Sequence, residues 1–129
     1  MKELYNKAVE AAKGAYAPYS GFYVGAAILC DDGTVFTGCN IENASYSATV
    51  CAERVALFSA VAAGYRKFTA VAIAGSKDGD YTKSCPPCGV CRQVLAEFFD
   101  ADAAVILADG VHTLGELLPM SFGAGSMEG

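Results

Sequence analysis

AAVILADGVHT, residues 103–113, carries a strand, a turn and a return strand. AAVILA (103–108) is apolar at successive positions, the pattern of a strand buried on both faces. Asp109 and Gly110 make a connection too short for a crossover helix, so residues 111–113 come back antiparallel. One edge of a sheet is thereby set. Upstream, TAVAIAG (69–75) is a second apolar run of strand length. Between the two runs, residues 88–99 show helical spacing, with Val90, Val94, Leu95 and Phe98 on the inner face. Nearer the N-terminus, FYVGAAILC, DDG and TVFTGCN predict a β-hairpin over 22–30 and 34–40.

Helices complete the pattern. Leu4, Ala8, Val9, Ala11 and Ala12 recur at helical spacing over residues 2–13, and Gly14 is a stop signal. TVCAERVALFSAVAA (49–63) is apolar on most faces, as in a helix buried over much of its surface, and Gly64 ends it. Residues 15–22, 43–46 and 76–84 read as loops, and 114–118 as a short helix. The tail 123–129 is expected to be mobile. The order α-β-β-α-β-α-β-β predicts an α/β fold: a three-layer α/β/α sandwich on a five-stranded mixed sheet, its last two strands antiparallel. No repeat or linker divides residues 1–129, so one domain is expected.

Composition narrows the function. The chain is 53% hydrophobic and 18% charged, enough to build a substantial core. Its net charge is −5, with no cluster of Lys or Arg, which argues against nucleic acid or an anionic membrane as partner. A small neutral or cationic partner fits better. No apolar run approaches the roughly 20 residues of a membrane span. The N-terminal stretch MKELYNKAVEAAKGAY is amphipathic and lacks the features of a signal peptide, so the cytoplasm is the expected compartment.

In a reducing compartment, clustered cysteines serve metal binding or catalysis more often than disulfides. Counted outward from the DDG turn, Cys30 faces Thr34 or Val35 rather than Cys39, which argues against a cross-strand bridge. CPPCGVC (85–91) contains two overlapping C-x-x-C pairs, Cys85 with Cys88 and Cys88 with Cys91. His112, the single histidine, sits in a short strand far from these and reads as structural or surface. Zinc ligands would then be thiolates: Cys51 and two of the 85/88/91 set, with water in the fourth position of a catalytic site. Both segments read as helix starts, where the positive dipole end stabilises thiolates.

Three thiolates around a zinc dication leave a formal charge of −1. Arg54, three residues after Cys51, is placed to offset it by donating to sulfur. Read alone, Arg54 would be an ordinary surface residue of a helix. Glu53, two residues after Cys51, is placed to reach a water at the metal and carry its proton. Read alone, it would be a first-turn acid complementing the helix dipole.

C-x-E at Cys51 and Glu53, with P-C-x-x-C at 87–91, resembles the zinc-dependent nucleoside and base deaminases. The chain is most similar to the short, homotetrameric cytidine deaminases, from about Tyr16 to Phe122, through APYSGFYVGAA (17–27), GCNIENASY (38–46), VCAER (50–54) and PCGVCRQVL (87–95). The resemblance implies Cys51, Cys88 and Cys91 as ligands of one Zn2+ per subunit, with Cys85 a spare thiol. It implies Glu53 as the catalytic proton carrier and Arg54 as the neighbour of the thiolates.

The same resemblance implies that Asn40 and Glu42 hold the sugar and that Phe22 packs on the nucleoside. It further implies that the backbone near Ala52 binds the exocyclic amine, and that Phe122 reaches a neighbouring subunit's site. Residues i and i+2 at a strand end point to one side, which agrees for Asn40 and Glu42; by themselves they would pass for turn residues. The implied activity is hydrolytic deamination of cytidine and deoxycytidine to uridine, deoxyuridine and ammonia, in pyrimidine salvage. Two other readings stay open: a blasticidin-S-type deaminase, and a non-catalytic structural zinc module with Cys85 as a fourth ligand. A polynucleotide-editing deaminase fits less well, because its final strands need a connecting helix that Asp109 and Gly110 cannot provide.

Overall fold

The computed structural model describes residues 1–127. Its elements are α1 (Lys2–Ala12), β1 (Tyr23–Cys30), β2 (Val35–Cys39), α2 (Ala52–Ala62), β3 (Phe68–Ser76), α3 (Gly89–Phe98), β4 (Ala104–Leu107), β5 (Gly110–Thr113) and α4 (Leu114–Leu117). The strands form one sheet in the order β2-β1-β3-β4-β5. Only β3 and β4 run parallel, joined through α3; β1 with β2, β1 with β3, and β4 with β5 are antiparallel. The sheet is therefore mixed, and its last two strands return on each other as the short Asp109–Gly110 link requires.

Strand periodicity divides the core between two faces. Ala26, Ile28, Val71, Ile73 and Val105 face α2 and α3, packing with Ala52, Ala56, Leu57, Ala60 and Leu95. Ala27, Ala70, Ala72, Ala74 and Ile106 face α1, packing with Leu4 and Ala8. The expected three layers result. On the α1 side β3 presents Ala70, Ala72 and Ala74, so α1 lies close to the sheet. At Gly25 an added Cβ would stand 1.9 Å from the Ala8 carbonyl oxygen, and at Gly38 it would stand 2.5 Å from the Ala56 nitrogen of α2. Glycine is needed at both crossings because two backbones meet there.

The hairpin register keeps the cysteines apart. Leu29 pairs with Val35, Gly25 with Cys39, and the Cys30 amide donates to Thr34 O at 2.8 Å. All six cysteines are free. After α2, Gly64 at φ +102° takes the left-handed conformation that ends the helix.

Two expectations need correction. The second helix starts at Ala52, not residue 49. Residues Tyr46–Ala48 close a 3-10 turn, and Val50 is drawn into a reciprocal backbone pair with Ile41 at 3.0 Å each way. Cys51 is thus the N-cap instead of a first-turn residue. On α3, Val90 is 59% exposed; Cys91 and Leu95 carry the buried stripe, and Val94 and Phe98 are half-buried beside it. Cys91 turns inward toward the other cysteines, which rotates its neighbour Val90 out. Of the tail, Ala124–Met127 form one 3-10 turn, and residues 128–129 lie outside the described residues. No described helix is long and apolar enough to cross a membrane.

Gly25→Ala is expected to lower the unfolding free energy by at least about 2 kcal/mol, since backbone cannot yield to a new Cβ. Denaturant unfolding measures this. An unchanged stability would mean that α1 stands farther from β1 than described.

Candidate active site

Two helix starts meet at one end of the molecule. Cys51 caps α2 and Cys88 caps α3, both in extended backbone conformation. Cys91 lies one turn into α3 and is buried. The three sulfur atoms lie within 4.8 Å of one another, and Cys51 Sγ stands 3.9 Å from Cys88 Sγ. Tetrahedral zinc–thiolate bonds of about 2.3 Å place sulfurs roughly 3.8 Å apart. The cluster therefore fits zinc.

The helix starts also favour thiolate. The Cys91 amide donates to Cys88 Sγ at 3.4 Å, one of the free first-turn N–H groups of α3. Arg54 Nη2 lies 3.7 Å from Cys51 Sγ and 3.5 Å from Thr49 O. Its Nε is buried and meets no acceptor among the described residues. Hydrogen bonds from the Cys91 thiol and from Arg54 lower the Cys51 pKa to about 5. The same sharing, with burial, pushes the Cys91 thiol up. Arg54 in turn is held more firmly charged by Cys51. In isolation Arg54 could have been a surface residue; here its guanidinium lies against sulfur.

Glu53 is 4% exposed in the first turn of α2. Burial raises its carboxyl above the ordinary range, and the Cys51 charge adds to the rise. A solvated first-turn acid would show neither. A cleft of about 190 Å³ opens here, walled by Val24, Asn40, Cys51, Glu53, Cys85, Pro86 and Cys88. Ala52 also lines it.

Cys85 stands apart from the three-sulfur group. An added Cβ at Gly75 would lie 2.8 Å from Cys85 Sγ and 2.9 Å from Phe22 Cζ, so both side chains rest on Gly75. Burial first, then the charges of Glu53 and Cys51, push the Cys85 thiol up to about 11. It is a protonated wall of the cleft. Phe22, beside it, lines a neighbouring cleft of about 390 Å³ with Ser76, Lys77 and Lys83. His112 pairs with Asp109 at 2.9 Å on the β4–β5 turn, away from the cysteines, as its strand position implied.

Asn40 and Glu42 wall adjoining clefts. Asn40 belongs to the cleft over the sulfurs; Glu42 belongs to one of about 290 Å³ with Tyr19, Ser20 and Tyr46. Thr49 lines both. Between the two residues, Ile41 bridges to Tyr16 on one side and Val50 on the other, which holds the segment flat across the start of α2. Phe122 is 58% exposed, and its carbonyl accepts from Gln93 Nε2 at 2.9 Å.

Arg92 escaped the sequence reading. Its Nε donates to Pro87 O at 2.8 Å and its Nη1 to Leu117 O at 2.7 Å, tying the cysteine loop to the end of α4. Its second partner lies 25 residues away, so no local spacing marks it.

The profile of the cytidine and deoxycytidylate deaminase zinc-binding region matches residues 1–108. The chain belongs to this family. It is 48% identical over 129 residues to a cytidine deaminase of Halalkalibacterium halodurans, covering 96% of this chain and 95% of that protein. It is 44% identical over 127 residues to one of Sporosarcina psychrophila, covering 95% and 90%. The structure of cytidine deaminase from Burkholderia pseudomallei superposes with a TM-score of 0.85 at 48% identity, over 94% of this chain and 98% of that one. That from Mycobacterium tuberculosis superposes with a TM-score of 0.86 at 43% identity, over 95% and 96%. Zinc is the metal of this deaminase family, and the sulfur cluster is its candidate seat here.

Because Cys85 lies outside the cluster, Cys85→Val should keep one zinc per chain at close to native affinity. Cys91→Ala should weaken zinc binding at least about 100-fold. Competition with a chromogenic chelator reads both. Equal losses in the two variants would place Cys85 among the ligands.

Proposed function

We propose that the protein catalyses hydrolytic deamination of cytidine and deoxycytidine, giving uridine or deoxyuridine and ammonia. The observation that carries this reading is a buried acid, Glu53, lining the same cleft as two of the three clustered cysteines. Cys51, Cys88 and Cys91 are the proposed ligands of one zinc ion per subunit. Zinc, when bound, supplies the positive charge that makes a water acidic enough to attack C4 of the base.

The chain's own residues do the remaining work. Glu53 takes one proton of the attacking water and gives it to N3; it then takes the second, from the hydroxyl added at C4, and gives it to the departing amine as the C4 carbonyl forms and the C4–N bond breaks. A buried carboxyl with a raised pKa suits both taking and giving a proton near neutral pH. Arg54 draws charge from the Cys51 sulfur, so three thiolates do not over-neutralise the metal. Asn40 and Glu42 hold the sugar, Phe22 packs on the nucleoside, and the Ala52 backbone meets the exocyclic amine. Three observations support this placement: Asn40 and Ala52 share the sulfur cleft, Glu42 lines the adjoining one, and Thr49 joins the two.

The same reading includes a homotetramer acting in pyrimidine salvage in the cytoplasm, with sites completed across subunits. Phe58, Val90 and Phe122 are large apolar side chains left about half exposed, as a contact between subunits would use them. The exposed Phe122 would then serve a neighbour's site.

Ammonia release from cytidine, deoxycytidine, adenosine and blasticidin S, each supplied to zinc-loaded protein, tests the reaction and the substrate together. Turnover of the first two is expected. Glu53→Gln should retain zinc and lose about 1,000-fold in kcat. Turnover of blasticidin S alone would overturn the sugar assignment. Zinc binding without any turnover would overturn the enzyme reading.

A further inference from the structure

The residues proposed to meet the substrate are linked through one hydroxyl that no part of the reading so far uses. Ser20 lies in the loop before β1. Its Oγ donates to Glu42 Oε2, and its backbone N–H donates to Glu42 Oε1 at 3.1 Å, beside the Tyr19 N–H at 3.0 Å. The same Oγ accepts from the Phe22 N–H at 3.0 Å. The Phe22 carbonyl in turn accepts from Asn40 Nδ2 at 2.9 Å, and Asn40 Oδ1 accepts from the Val24 N–H at 2.9 Å. A continuous chain of hydrogen bonds thus runs Glu42–Ser20–Phe22–Asn40–Val24. It anchors the loop to the first residues of β1.

We infer that Ser20 is a positioning residue for the sugar end of the substrate, fixing the Glu42 carboxylate by a hydroxyl that is itself fixed by the Phe22 amide. This rests on the proposed sugar role of Glu42. Physically, a free glutamate rotates about three bonds, and each contact to a sugar hydroxyl must first stop that rotation. Three donors on two carboxylate oxygens stop it before substrate arrives. Oε1 already accepts twice, and Oε2, which accepts once, keeps a lone pair free for a sugar hydroxyl. The hydrogen bonds from Ser20 also lower the Glu42 pKa, so the acceptor stays ionised. Ser20 and Glu42 both line the cleft that adjoins the sulfur cleft, with Tyr19 and Tyr46 rings 6.2 Å apart at its rim. Ser20 is exposed and packs no core, so its replacement tests position rather than folding.

Steady-state kinetics of Ser20→Ala and Ser20→Thr with cytidine and with 2′,3′-dideoxycytidine test this. For Ser20→Ala, kcat/KM for cytidine should fall about 10-fold, mainly through KM, as for loss of one charge-assisted hydrogen bond. The value for dideoxycytidine should stay within about 2-fold, because the sugar contacts are already missing. Ser20→Thr should retain most of the cytidine activity. An unchanged cytidine KM in Ser20→Ala, or an equal fall for both substrates, would overturn the positioning role. Native protein that handles both nucleosides equally well would instead overturn the sugar role of Glu42, and the inference with it.

Discussion

Three sulfur atoms within 4.8 Å of one another are a costly arrangement for a folded chain. As thiolates they repel; as thiols they bring little stability to the loops that hold them. The fold answers with positive potential. Two helices start at the same point, and in α3 the first-turn Cys91 amide donates to Cys88 Sγ. Arg54 adds a full charge from the first turn of α2. A divalent cation bound there would compensate what these leave, and would then stabilise the folded state as well as serve the chemistry. The rest of the molecule can be seen as the scaffold that keeps α2 and α3 aimed together. Both lie on one face of the sheet, over the larger side chains of β1, β3 and β4.

Close packing sets the precision of that scaffold. Gly38 lets α2 lie directly on β2, and Gly25 lets α1 lie directly on β1 from the other side. At these two crossings helix backbone meets strand with no side chain between them. The N-terminus of α2 is therefore placed by backbone contact, which suits a metal site whose ligand distances tolerate only a few tenths of an ångström.

Much of this was legible in the sequence, for physical reasons. The period-2 split of β1 and β3 into two apolar faces dictates layers on both sides. The DDG and Asp109–Gly110 turns dictate hairpins and thereby the antiparallel edges. Cys51 and Cys88 stand beside helix-start signals, so their convergence could be argued before the structure. The start of α2 was harder. Ser47 and Thr49 are good cap residues, but the Ile41–Val50 pairing captured that stretch for a bridge. Such a contact joins residues separated by the whole 42–49 segment and has no periodicity to betray it. Arg92 and Ser20 were missed for the same reason: their partners are set by tertiary placement, and nothing local singles them out. Conversely, Cys85 looked equivalent to its neighbours by spacing. The family resemblance set it apart, and in the structure it sits on Gly75 next to Phe22, outside the three-sulfur group.

The account stands or falls on a metal held by three sulfurs with one position left open beside Glu53. Zinc-edge X-ray absorption of the zinc-loaded protein measures that directly. Three sulfur scatterers at about 2.3 Å and a single oxygen near 2.0 Å are the predicted shell. Four sulfurs at the longer distance would close the site, make Cys85 a ligand and contradict the hydrolytic reading.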